Sequence, residues 1–102
     1  MKTLSSLYGI VSGTSSTLKT GNYTILDNDG IITIFVTGNT TIILPTASIK
    51  RYLKIVKKDS NTITTILSSG SDTIEGNISI TLNTLYDTLQ LESDGINLWV
   101  IF

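Results

Sequence analysis

Short apolar runs rich in Ile, Thr, Leu and Val, each closed by a turn residue, recur from residue 22 to residue 102. The clearest are TTIILP at 40–45, LKIVKKD at 53–59, DTIEGN at 72–77, LQLESDG at 89–95 and LWVIF at 98–102. β-Branched stretches bounded by Gly, Asn, Asp or Pro form strands and their connections, and no stretch sustains a helical 3.6-residue period. The pattern predicts an all-β fold of about eight short strands, as a small antiparallel β-sandwich of jelly-roll type. The segments show no close repeat, so a solenoid or propeller is not expected.

Individual segments sharpen this reading. IITIFV at 31–36 carries too many apolar residues for a half-exposed strand and is expected to be buried on both faces. In LKIVK at 53–57, Lys54 falls on the face opposite Leu53, Ile55 and Lys57. The lysines of this region read as solubilising side chains on an edge strand. LKIVK and TITTIL at 62–67 flank a turn and read as a hairpin. In ISITL at 78–82, Ile78, Ile80 and Leu82 share one face. Asp94-Gly95 between two apolar runs is a strong hairpin signal. Residues 46–52 are the one place where a helical turn fits.

Residues 1–21 differ from the remainder. They are rich in Ser, Thr and Gly, with Leu4, Leu7, Tyr8, Ile10 and Val11 scattered among them. They read either as a docking arm or as a first strand, preceding a β-domain over 22–102. A chain of 102 residues fits one domain. Charged residues make up only 15% of it, and the mean hydropathy is +0.27. So little charge on so small a domain points to a surface covered by further copies of itself.

Composition removes several kinds of chemistry. The chain has neither Cys nor His, so disulfides, thiolate nucleophiles and histidine-based metal sites are excluded. Its net charge of −1 carries no electrostatic footprint for nucleic acid. No apolar run approaches the roughly 20 residues of a membrane-spanning helix, and residues 1–21 make a poor signal peptide. The acidic residues sit beside Gly, Ser or Asn and read as turn carboxylates rather than a catalytic pair. Asp27, Asp29 and Gly30 match part of a calcium loop, but no glutamate closes it. Three glycosylation sequons, beginning at Asn22, Asn39 and Asn77, read as turn and strand residues. No residue is assigned a catalytic or metal-ligating role, no cofactor is expected, and the chain is not read as an enzyme.

The order of the segments carries a resemblance. A Thr/Ile strand ends in Leu44-Pro45, and Ile55-Val56-Lys57-Lys58-Asp59 closes the next. Asp72-Thr73-Ile74-Glu75-Gly76, the strand and turn Leu89–Gly95 and a last strand with Trp99 follow. Over residues 22–102 this resembles the β-sandwich domain of phage fibre and appendage proteins. It is most similar to the small head-fibre trimer proteins of crAss-like phages. Lys50-Arg51-Tyr52 stands where that family usually carries a glycine.

The resemblance implies a trimeric structural protein of the virion, on the capsid surface, that acts by self-association and by docking on the capsid or on other fibre subunits. A tail-fibre tip binding a receptor or a host glycan is the alternative. Apolar patterning nominates Ile32, Ile34, Val36, Trp99 and Ile101 for the subunit interface. Leu4, Leu7, Tyr8, Ile10 and Val11 are the candidates for the docking arm, and Tyr52 and Tyr86 for glycan contact.

Overall fold

The computed structural model describes residues 16–102. The docking-arm candidates Leu4, Leu7, Tyr8, Ile10 and Val11 lie outside the described residues. The described chain is all-β, with ten strands in two sheets and no helix. The strands are β1 (Ser16–Lys19), β2 (Tyr23–Thr24), β3 (Thr33–Val36), β4 (Thr40–Ile43), β5 (Tyr52–Lys57), β6 (Thr64–Leu67), β7 (Thr73–Ile74), β8 (Ser79–Leu82), β9 (Thr88–Ser93) and β10 (Leu98–Ile101).

Through β8 the chain alternates between the sheets. The larger sheet has the order β1-β3-β5-β9-β10-β7, and the smaller β2-β4-β6-β8. Five of the eight strand pairings are parallel, which corrects the antiparallel expectation. β1, β3 and β5 stack in parallel register in one sheet, and β2, β4 and β6 do so in the other. The first six strands therefore make three rungs of a solenoid-like stack, each a strand, a turn and a strand, which corrects both the expected jelly-roll sandwich and the expectation that no solenoid forms. At the far end the stack is closed by antiparallel elements. β8 runs against β6, and the hairpin β9–β10 enters the larger sheet between β5 and β7.

The sequence contains the reason for the stack. Gly21-Asn22, Gly38-Asn39, Ser60-Asn61 and Gly76-Asn77 each lie between a strand of the larger sheet and the following strand of the smaller one. At the turn into β4, Gly38 has φ +79°, a left-handed conformation that glycine adopts without penalty. The asparagines then clasp one rung to the next. Thr41 N–H donates to Asn22 Oδ1 at 2.8 Å, and Ile63 N–H donates to Asn39 Oδ1 at 2.8 Å. The loops between these units differ in length, which hides the repeat from a search at fixed period.

One core lies between the sheets. Ile34, Val36, Leu53, Ile55, Leu89, Leu91 and Trp99 from the larger sheet meet Ile42, Ile66 and Leu82 from the smaller. Each such aliphatic side chain stabilises the fold by about 1.5–3 kcal/mol when fully removed from water. β3 alternates half-buried and buried residues, so it has one core face and one outer face, not two buried ones. β5 likewise places Leu53, Ile55 and Lys57 inward and Lys54 outward, as the spacing requires. It is an interior strand, however, between β3 and β9, and not the expected edge. β5 and β6 lie in different sheets, so they do not form a hairpin. Residues 46–52 contain turns and the start of β5 instead of a helical turn. Ile80 and Leu82 face the core as expected, whereas Ile78 precedes β8 and is exposed. The hairpin across Asp94-Gly95 is present, with Trp99 opposite Ser93. β1, inside the segment set apart as an arm, is a strand of the larger sheet.

Candidate functional site

The most concentrated polar cluster lies inside the stack, around Lys57. Two-residue alternation along β5 turns this side chain inward, where it is fully buried. Its ammonium donates to Gly38 O at 2.8 Å, Thr62 Oγ1 at 2.8 Å and Thr64 Oγ1 at 2.9 Å. It also lies 3.0 Å from Asp59 Oδ1. Thr62 Oγ1 donates to Asp59, Gly38 N–H donates to Asp59 Oδ2 at 2.9 Å, and the hydroxyls of Thr40 and Thr64 share a bond of 2.8 Å. Each ammonium hydrogen thus has an acceptor, the condition under which a charge tolerates burial. The cluster ties the turn after β3 to the turn after β5, and so the second rung to the third.

The eight carboxylates are distributed among structural tasks. Asp27 accepts from Thr46 N–H and Asp72 from Ala47 N–H, while Asp87 accepts from Asn83 and Thr84 N–H. Glu75 accepts from Ile101 N–H, and Glu92 pairs with Lys50. Asp94 accepts from the amides of Ile96, Asn97 and Leu98 at 2.8–3.0 Å. Those donors, Leu98 foremost, hold its carboxyl below the ordinary carboxylate range. Asp59 is held low first by Gly38 N–H, with Lys57 and Thr62 adding to it against a desolvation that acts the other way.

Asp29 accepts from Leu26 and Ile31 N–H and pairs with Arg51. Burial is the largest single influence on it and opposes ionisation. The Ile31 amide, Arg51 and the Leu26 amide together outweigh burial, and its pKa is lowered. Arg51 also donates to Leu26 O and Ile31 O. A shallow cavity of about 240 Å³ lies beside this pair, lined by Ile31, Ile32, Arg51 and Tyr52 among others. Among the described residues no group of three or more acidic side chains is placed to hold a metal ion.

The outer faces of the two sheets differ in chemistry. On the smaller sheet the outward ladders are Thr24–Ile43–Leu67–Ser79 and Thr41–Thr65–Thr81, with no charged residue. On the larger sheet they are Leu18–Phe35–Val56–Thr88, Thr33–Lys54–Gln90 and Tyr52–Glu92–Val100. Aromatic rings mark both ends of this second face. At one end Tyr52 and Phe102 meet edge to face, with centroids 5.9 Å apart. At the other, Lys58 Nζ lies 5.5 Å from the Phe35 centroid and 6.0 Å from that of Tyr86.

These placements sort the residues nominated from sequence. Ile32, Ile34, Val36 and Trp99 are buried within the chain's own core, so they offer no surface to a second subunit. They were apolar because they pack inward. Ile101 is partly exposed. Tyr52 and Tyr86 lie toward opposite ends of one sheet face and do not converge on each other. Thr62 and Thr64 were not singled out by sequence, and Lys57, grouped there with the solubilising lysines of an edge strand, is instead fully buried. The inward phase of Lys57 beside Leu53 and Ile55 was the signal that its charge is enclosed. In comparison with known proteins, no family model matches the chain and no curated protein matches it.

Proposed function

We propose that this chain is a structural virion protein, a head-fibre or capsid-decoration subunit that works by self-association, as a trimer, and by docking on the particle. The observation that supports this reading is the outer face of the smaller sheet. It is uncharged across all four strands, carries Thr41, Thr65 and Thr81 in one row and Ile43 and Leu67 in the next, and is bordered by exposed Ile63. Threonine and branched aliphatic side chains on a pleated surface suit close packing of sheet on sheet. Burying this face costs no ion desolvation, whereas the opposite outer face would have to bury lysines.

Residues 1–15 supply the docking arm in this reading, through Leu4, Leu7, Tyr8, Ile10 and Val11. Sedimentation and light scattering test the association: a trimer of the 11.0 kDa chain is expected. Thr65→Lys with Leu67→Lys should yield folded monomer. A monodisperse monomer of the unaltered chain at high concentration would overturn the reading. A particle reconstruction tests the location, with density expected on the capsid surface.

A further inference from the structure

The outer face of the larger sheet has features that neither the core nor subunit packing requires. Tyr86 has φ +70°, a left-handed conformation that costs a non-glycine residue about 1–2 kcal/mol. It is held there by its N–H donating to Lys57 O at 2.7 Å and by Thr88 Oγ1 donating to its carbonyl at 3.0 Å. The outcome of this strain is a large ring left 67% exposed, beside Lys58. Lys58 and Lys54 form no ion pair among the described residues, whereas Lys50, Arg51 and Lys57 all do. Between the two lysines and the two aromatic ends lie Thr33, Val56, Thr88 and Gln90, a flat floor of hydroxyl, amide and methyl groups. From Tyr52 to Lys57 the strand spans roughly 17 Å, long enough for a short oligosaccharide.

We propose that this face binds an oligosaccharide bearing carboxylate groups. The exposed Tyr86 ring stacks on the C–H face of one sugar, because ring faces are electron-rich and attract polarised C–H groups. The ammonium of Lys58, already drawn against the Phe35 and Tyr86 rings, receives the carboxylate of that sugar. Lys54 receives a second carboxylate nearer the middle of the face, and Gln90 and Thr33 offer hydrogen bonds to hydroxyls. Tyr52 and Phe102 flank the far end, beside Glu92, whose carboxylate is paired with Lys50. A nucleic-acid strand fits less well. Two free lysines would neutralise about two phosphates, far fewer than the 6–10 contacts of strong electrostatic binders. The proposal is independent of self-association, which uses the outer face of the other sheet.

The test is an NMR titration of the full chain with tetragalacturonate, alongside its fully methyl-esterified, uncharged counterpart. Amide shifts are expected on β3, β5, β9 and Tyr86, with roughly tenfold weaker binding of the ester. Lys58→Gln and Tyr86→Ser should each weaken binding of the acid by roughly tenfold while the amide spectrum elsewhere stays that of the folded chain. Added salt should weaken the acid and leave the ester unchanged. No shifts at millimolar tetragalacturonate would overturn the proposal. So would equal affinity for acid and ester, unchanged affinity in Lys58→Gln, or tighter binding of an oligothymidylate of similar length.

Discussion

The ammonium of Lys57 and the carboxylate of Asp59 meet at 3.0 Å across the turn that leaves β5, the lysine fully enclosed and the aspartate about a third exposed. The pair reaches from the core to its rim. Replacing Lys57 with Ala empties core volume and leaves Gly38 O, Thr62 and Thr64 without their donor. A loss of about 3–5 kcal/mol is expected, read as a lower urea midpoint at unchanged slope. Lys57→Met keeps the stem and should lose less. Asp59→Asn should lower the midpoint by less than Lys57→Ala, because neutral acceptors still surround the ammonium.

The asparagine clasps make a local prediction. Asn39→Ala removes the acceptor of Ile63 N–H and is expected to cost about 1 kcal/mol. Hydrogen exchange should show the Ile63 amide exchanging faster, with amides of β9 and β10 little changed. Gly38→Ala has space, since the nearest atom to the added methyl is Thr20 O at 3.8 Å. Its cost is the left-handed backbone, about 1–2 kcal/mol. The same substitution at Gly21, which has open space and no positive φ, should be nearly silent.

Stability should hold a plateau around neutral pH and fall at both ends. Asp29, Asp59 and Asp94 all ionise more readily in the fold than their ordinary 3.8. Groups lowered in this way stabilise the folded state above the unfolded value and lose that contribution as pH drops through the folded one. The urea midpoint should therefore begin to fall near pH 4 and keep falling below it. Asp94→Asn should shorten that acid limb. Tyr23 moves the other way: burial first, then the Asp29 carboxylate, raises it above 10.0. Its contribution is present below pH 10 and is lost as pH rises through the folded value.

Trp99 serves as the spectroscopic reporter. Its ring is fully buried and its indole Nε1–H has no acceptor among the described residues. Emission at short wavelength is expected in the folded chain, shifting red on unfolding in step with circular dichroism. Trp99→Phe forfeits packing but no hydrogen bond, so it should cost much less than Trp99→Ala, for which about 3–5 kcal/mol is expected.

Strand positions were readable in the sequence because alternation is local. Leu53, Ile55 and Lys57 against Lys54, and the pair of runs around Asp94-Gly95, needed only neighbours along the chain. Sheet direction was not readable in the same way. Parallel pairing joins residues such as Phe35 and Val56, whose partnership no adjacent turn announces. The Gly-Asn units at 21, 38 and 76 did announce it, but Ser60 replaces one glycine and the intervening loops vary. Apolar patterning also cannot separate a core from an interface: Ile34 and Trp99 satisfied both descriptions until their burial was known. The Phe35–Lys58–Tyr86 grouping was hidden because it assembles from three separate segments.

The entry of β9–β10 between β5 and β7 sets an order of assembly. Three rungs can stack as soon as residues 16–67 are available, each on the one before. The larger sheet cannot close in that sequence, because the strand that flanks β5 comes after the strand that ends the sheet. β7 gains its neighbour in this sheet only when β10, which follows it in the chain, is in place. Such long-range pairings raise the contact order and slow folding. The hairpin is a keystone: until it is seated, β5 and β7 present open edges that invite pairing with another chain.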